Sequence, residues 1–89
     1  MTIKEVFAKA ADILERDGWC QGRYVDRFGR RCMAGAILSA GTGYAGGDWT
    51  SKERKFADEF GWDLDWARWN DTKGRTQDEV IAKLRELAA

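Results

Sequence analysis

Three times in 89 residues a threonine is followed at the third position by a glutamate: Thr2 and Glu5, Thr50 and Glu53, Thr76 and Glu79. This pattern is the capping box, in which the threonine hydroxyl accepts from the N3 amide while the glutamate reaches back to the threonine amide. Each copy opens a run with apolar residues at helical spacing, so three helix starts are fixed before any packing is considered. In the first run Ile3, Val6, Phe7, Ala10, Ile13 and Leu14 form the apolar face, Met1 with Val6 supplies a hydrophobic staple, and Gly18 is placed to end the helix as a left-handed cap. In the second, Phe56, Ala57 and Phe60 form the face and Gly61 ends or bends the helix. Trp49 precedes that cap, but the N4 residue is Arg54, so an indole–guanidinium stack is expected in place of a staple. In the third, Val80, Ile81, Leu84, Leu87 and Ala88 make the buried stripe, after a turn through Asn70, Asp71 and Gly74.

Between the boxes the patterns differ. Cys32 to Ala40 carries no charge and only small or aliphatic side chains, which predicts a short helix buried nearly all round and serving as the hub of the core. Gly35 within it lets a neighbouring backbone come close. Trp19 to Arg31 has no 3.6-residue period, and Asp26-Arg27-Phe28-Gly29 favours a type I turn. Arg23-Tyr24-Val25 and Arg30-Arg31-Cys32 are therefore expected to pair as a short hairpin. In Gly61 to Asp71, a helix would set Trp62, Trp66 and Trp69 at i, i+4 and i+7 on one face, as a lid over the hub. The expected fold is mainly α: a single compact domain, residues 1–89, built as a bundle of four to five short helices with one short β-hairpin between the first and second helices.

Gly41 to Gly47 contains GxGxxG, which in a dinucleotide fold joins a strand to a helix. Here it follows an apolar helix without a βαβ unit, so a flexible loop is the simpler reading and a phosphate-binding turn the functional one. The absence of histidine removes Ser-His-Asp and Cys-His catalysis and imidazole-based zinc sites. Cys20 and Cys32 have neither CxxC nor finger spacing and read as reduced, buried thiols. No metal or cofactor is expected. Fifteen basic and fifteen acidic residues cancel, so no whole-molecule field draws the chain to DNA or a membrane. With no long apolar run and no signal-peptide core, the expected location is cytoplasmic.

The ordered set Gly18-Trp19-Cys20-Gln21-Gly22, Asp26 with Gly29-Arg30, Cys32 with Gly35-Ala36-Ile37, and Trp69-Asn70-Asp71 with Gly74-Arg75-Thr76 and Glu79-Val80 resembles a family of small uncharacterised proteins from actinobacteria and their phages. The resemblance implies a compact domain and a phage-related origin. It brings no activity, substrate or catalytic residue with it.

Charge is balanced overall but not locally. Arg16 to Arg31 holds five arginines against Asp17 and Asp26, a net +3, and Asp58 to Asp71 holds five carboxylates against Arg68, a net −4. The simpler expectation is that the two segments face each other, through pairs such as Arg75 with Asp71. Three functional readings follow, none enzymatic. The first is a protein-docking face of Trp62, Asp63, Asp65, Trp66 and Trp69, suited to binding and inhibiting a host or defence protein. The second is a nucleic-acid contact made by Arg23, Tyr24, Arg27, Phe28, Arg30 and Arg31, disfavoured by the zero net charge. The third is a small-molecule or phosphate pocket under the loop 41–47. The bland reading of the tryptophans is core, because each buries about 150–250 Å².

Overall fold

The computed structural model describes residues 1–89 and holds five helices: α1 (Ile3–Asp17), α2 (Met33–Thr42), α3 (Ser51–Phe60), α4 (Asp65–Asn70) and α5 (Gln77–Ala88). All three capping boxes form. The glutamate carboxylate accepts the threonine N–H at 3.1 Å for Thr2 and Glu5, 2.7 Å for Thr50 and Glu53, and 3.2 Å for Thr76 and Glu79. The staple is weaker than the sequence implies, since Met1 is 72 % and Ile3 57 % exposed. Gly18 ends α1 at φ 95° and ψ 171°, an extended mirror-image conformation rather than the left-handed helical one, because the chain leaves straight into a bridge with Arg31.

The hub is where the sequence puts it. Nine of the ten residues of α2 are buried, and α2 packs against α1, α3 and α4 while α1 also packs on α5. Val6, Phe7, Ala10, Leu14, Met33, Ile37, Val80 and Leu84 belong to one core cluster. The radius of gyration is 11.7 Å, close to the ~12 Å of a compact chain this long. α2 runs two residues further than its uncharged stretch suggests and stops at Gly43, φ 78°. Gly41, expected in a loop, is thus helical, and a β-carbon there would overlap the Phe56 ring. Its missing side chain lets α3 approach.

The hairpin does not form. Arg31 bridges Val25 on one side, antiparallel, and Trp19 on the other, parallel, and no sheet grows from either contact. The type I turn itself is present, with the Gly29 N–H donating to the Asp26 carbonyl at 3.1 Å. Pairing cannot extend, because Cys32 is already the N-cap of α2 on one strand and Gly22, φ 79°, turns the other away. The Cys32 N–H donates to the Tyr24 carbonyl at 3.2 Å, which sets that carbonyl directly over Gly35. The segment is a closed loop lying on the hub.

The tryptophans also come from two elements instead of one helix. Gly61, φ 87°, ends α3, and the N–H groups of Gly61 and Trp62 both donate to the Ala57 carbonyl. The chain restarts only where the Asp63 carboxylate accepts the Asp65 N–H at 2.9 Å, so α4 has six residues and excludes Trp62. A row of rings results. Tyr24 meets Trp49 at 5.7 Å, Trp49 meets Trp62 edge-on at 5.1 Å, Trp62 meets Trp66 at 5.2 Å, and Trp66 meets Phe7 at 6.2 Å. Trp49 therefore packs on rings and not on Arg54. Its buried Nε1–H has no hydrogen-bond partner, a cost set against these edge-to-face contacts. The indole–guanidinium stack occurs elsewhere, with Arg75 4.0 Å above Trp69.

Candidate functional site

The loop between α1 and α2 is held to the rest of the molecule by Asn70. This side chain is fully buried, and its Oδ1 accepts from Trp19 Nε1 at 2.6 Å and from the Met33 N–H, the first amide of α2, at 2.9 Å. Its Nδ2 donates to the Cys20 carbonyl at 3.2 Å and to Asp71 Oδ1 at 2.9 Å. Two donors face one atom and two acceptors the other, so the amide fits in one orientation only. Around it Gln21 Nε2 donates to the carbonyls of Asn70 and Thr72, and Asp71 Oδ1 accepts the Gly22 N–H. The Gly18-to-Gly22 motif and the Trp69-to-Asp71 motif are thus two halves of one joint. They meet through side-chain amides, an indole N–H and backbone groups, not through arginine–carboxylate pairs: Arg75 pairs with Glu79, and Asp71 with no cation.

Inside the loop, Asp26 fixes the turn. Its Oδ1 accepts the N–H of Phe28 and of Arg30, both at 2.9 Å, and its Oδ2 accepts Arg30 Nε at 2.7 Å. Burial pushes the Asp26 carboxyl up, but the Arg30 guanidinium and these amides outweigh it and leave the group below its usual range. The Cys20 thiol lies 3.5 Å from the Arg23 carbonyl and 3.4 Å from the Arg30 carbonyl, drawing both arms of the loop together.

A frame this rigid leaves its outer side chains free. The loop opens a cleft of about 600 Å³, the largest in the molecule, lined by Trp19, Cys20, Gln21, Arg23, Asp26, Arg27, Phe28 and Arg30. Phe28 is 67 % exposed, with the guanidinium carbons of Arg27 and Arg30 at 4.9 and 5.2 Å from its ring centre. Arg30 spends its charge on Asp26, and neither Arg23 nor Arg27 has an ion-pair partner. The cleft combines two unpaired cations, an exposed ring flanked by guanidinium planes, and an indole wall. Such a surface suits a flat, anionic partner.

Of the residues singled out for nucleic acid, Arg23, Arg27, Phe28 and Arg30 share this cleft. Tyr24 turns away into the ring row, and Arg31 points to the other side, onto Asp17 and Ser39. Of the docking set, Asp63, Asp65, Trp66 and Trp69 line one groove of about 250 Å³ with Met33, Lys83 and Leu87. Trp62 is not on it, and Trp66 spends its faces on Phe7, Phe60 and Trp62. At the glycine stretch, the N–H groups of Gly43 and Tyr44 go to the Ser39 carbonyl and the Thr42 hydroxyl within the fold. Trp19, Gln21 and Asn70 stand in the sequence only as members of the resemblance motifs and, for Asn70, of a turn, with no sign that they meet. Their shared motif was visible, but contacts spanning 49 to 51 residues leave no local signal.

Both thiols are free and buried. Burial raises the pKa of Cys20, and it pushes the Cys32 thiol, whose Sγ accepts the Gly35 N–H at 3.3 Å, up to about 11. A group whose pKa is raised by folding contributes stability below its unfolded value, 9.0 here, and loses it as pH climbs toward the folded one. Alkaline titration from about pH 9 to pH 11 should therefore cost the fold about 2–3 kcal/mol through Cys32. Urea midpoints for the wild type and for Cys32→Ser, which keeps an N-cap oxygen but does not ionise there, should diverge over that window. Superimposable profiles would show that the thiol carries none of the dependence.

A family model described as a family of unknown function, DUF6197, matches residues 1–89, and the chain belongs to that family. No curated protein and no solved structure shows a match.

Proposed function

We propose that this member of a family without assigned activity is a non-enzymatic binding module whose working surface is the Trp19-to-Arg30 cleft, and that the cleft takes a short single-stranded stretch of nucleic acid. The observation that carries the reading is Phe28, an aromatic ring left 67 % exposed on a braced turn, with Arg27 and Arg30 over it. A ring so placed contributes nothing to the core; a base stacks on it as the Arg27 guanidinium swings aside, and Arg27 joins Arg23 in contacting phosphates. An acidic peptide would use the arginines but leave the ring idle. The zero net charge limits the footprint instead of forbidding it. With two or three phosphates neutralised, log K should fall with log salt at a slope of only about −1.4 to −2.

The test is fluorescence anisotropy with a labelled oligothymidylate. Raising salt from about 50 to 200 mM should weaken binding roughly tenfold, and Phe28→Ala should remove about 1–3 kcal/mol without loss of fold. Absence of binding at low salt, or a Phe28→Ala variant that binds like the wild type, defeats the reading.

A second reading keeps the acidic groove of Asp63, Asp65, Trp66 and Trp69 as a docking face for another protein, a host or defence protein if the chain is phage-encoded. It draws support from Leu64, 72 % exposed between the two aspartates. Phe28→Ala leaves that groove intact, so the two readings part on the same variant. The two reduced thiols accord with a reducing compartment for either one.

A further inference from the structure

We propose a second anion site, separate from the cleft, in the cavity between α1, Arg31 and the turn at Gly43 and Tyr44, built for a small oxyanion of the phosphate class. Arg30 and Arg31 are consecutive in an extended stretch, so their side chains leave on opposite sides. Arg30 goes to the cleft, and Arg31 goes to a cavity of about 250 Å³ that Lys9, Arg16 and Ser39 also line.

Three cations meet there and one carboxylate serves them. Asp17 accepts from Arg16 Nε and Nη2 at 2.9 and 2.7 Å and from Arg31 Nη1 at 2.7 Å. Arg31 Nε donates to Ser39 Oγ at 2.9 Å and Nη1 also donates to the Gly29 carbonyl, so the side chain, 13 % exposed, is locked in place. Its Nη2 makes no hydrogen bond, nor does Arg16 Nη1, and Lys9 has no ion pair. Arg85, by contrast, has two acids to itself, Asp12 and Glu15. The local surplus is two positive charges around a concave, partly desolvated space. A tetrahedral oxyanion accepts from guanidinium and ammonium donors together, and a fixed guanidinium loses little freedom on engaging it. The Ser39 hydroxyl is occupied, since it donates to the Tyr44 carbonyl, so binding falls to the three cations.

The full chain is titrated with inorganic phosphate against chloride at equal ionic strength, following melting temperature and the phosphorus resonance. Saturable binding beyond the chloride control is expected. Lys9→Gln and Arg16→Gln, both at exposed positions, should each weaken it about twofold to fivefold, and the pair multiplicatively. Phe28→Ala should bind phosphate as the wild type does, whatever its behaviour toward oligonucleotides. A titration no different from chloride overturns the site. So does unchanged affinity in the folded double variant, or loss of phosphate binding in Phe28→Ala, which would move the ion to the cleft.

Discussion

Asn70→Ala should cost this protein about half its stability or more. Truncation removes a side chain with no solvent exposure and orphans the buried Met33 N–H and Cys20 carbonyl together with the half-buried Trp19 indole N–H. Each buried group left without a partner costs about 1–3 kcal/mol, against a total of roughly 4–13 kcal/mol for a chain this long. Asn70→Asp separates hydrogen bonding from volume. It preserves shape and the acceptor oxygen, loses the donor to Cys20, and sets a second carboxylate against Asp71, so it should also be strongly destabilised. Urea denaturation followed by tryptophan fluorescence checks both, and a loss below about 1 kcal/mol in Asn70→Ala would mean that water replaces the amide at little cost.

How far the sequence discloses the fold depends on the range of the interactions involved. Capping boxes act over three residues, so the starts of α1, α3 and α5 are written in the chain at Thr2, Thr50 and Thr76. The buried hub is legible for a different reason, since nine uncharged residues in succession from Cys32 have no solvent-facing partner to offer. The hairpin is not legible. The turn at Asp26 is local and present, but what Arg30, Arg31 and Cys32 do next is decided by a bridge to Trp19 and by the start of α2. Trp62 fails as a helical residue because Gly61 and Asp63 break the chain on either side of it. Half of the cleft was readable as an arginine–aromatic alternation. Its division into Arg30 on one side and Arg31 on the other was not, because it needs the extended backbone at that point.

Gly35→Ala is the other change of large effect. In a solvent-facing helix the substitution would stabilise by about 0.5–1 kcal/mol. Here the new methyl would overlap the Tyr24 carbonyl oxygen, and that carbonyl is held by the Cys32 N–H at 3.2 Å, so it cannot retreat without freeing a buried amide. Overpacking of this kind costs about 1–3 kcal/mol or more, and backbone yields less readily than a side chain. The expected result is a net loss of about 2 kcal/mol or more in urea titration, with loosening of the loop from Trp19 to Arg31 seen as faster amide exchange at Cys32 and Asp26. A variant as stable as the wild type would show that the loop floats on α2 instead of resting on it.

The Asn70 joint also has a consequence for how the chain should fold. Met33, the first residue of the most buried helix, receives its acceptor from a side chain 37 positions later, and Trp19 from one 51 positions later. A nascent chain that has emerged only through the hub holds α2 with its leading amide unanswered and its loop untethered. Closing so long a segment must precede the reward of the contact, which slows folding relative to bundles built from neighbouring helices. The molecule should therefore close late and as a whole, its first-synthesised half provisional until the last third arrives.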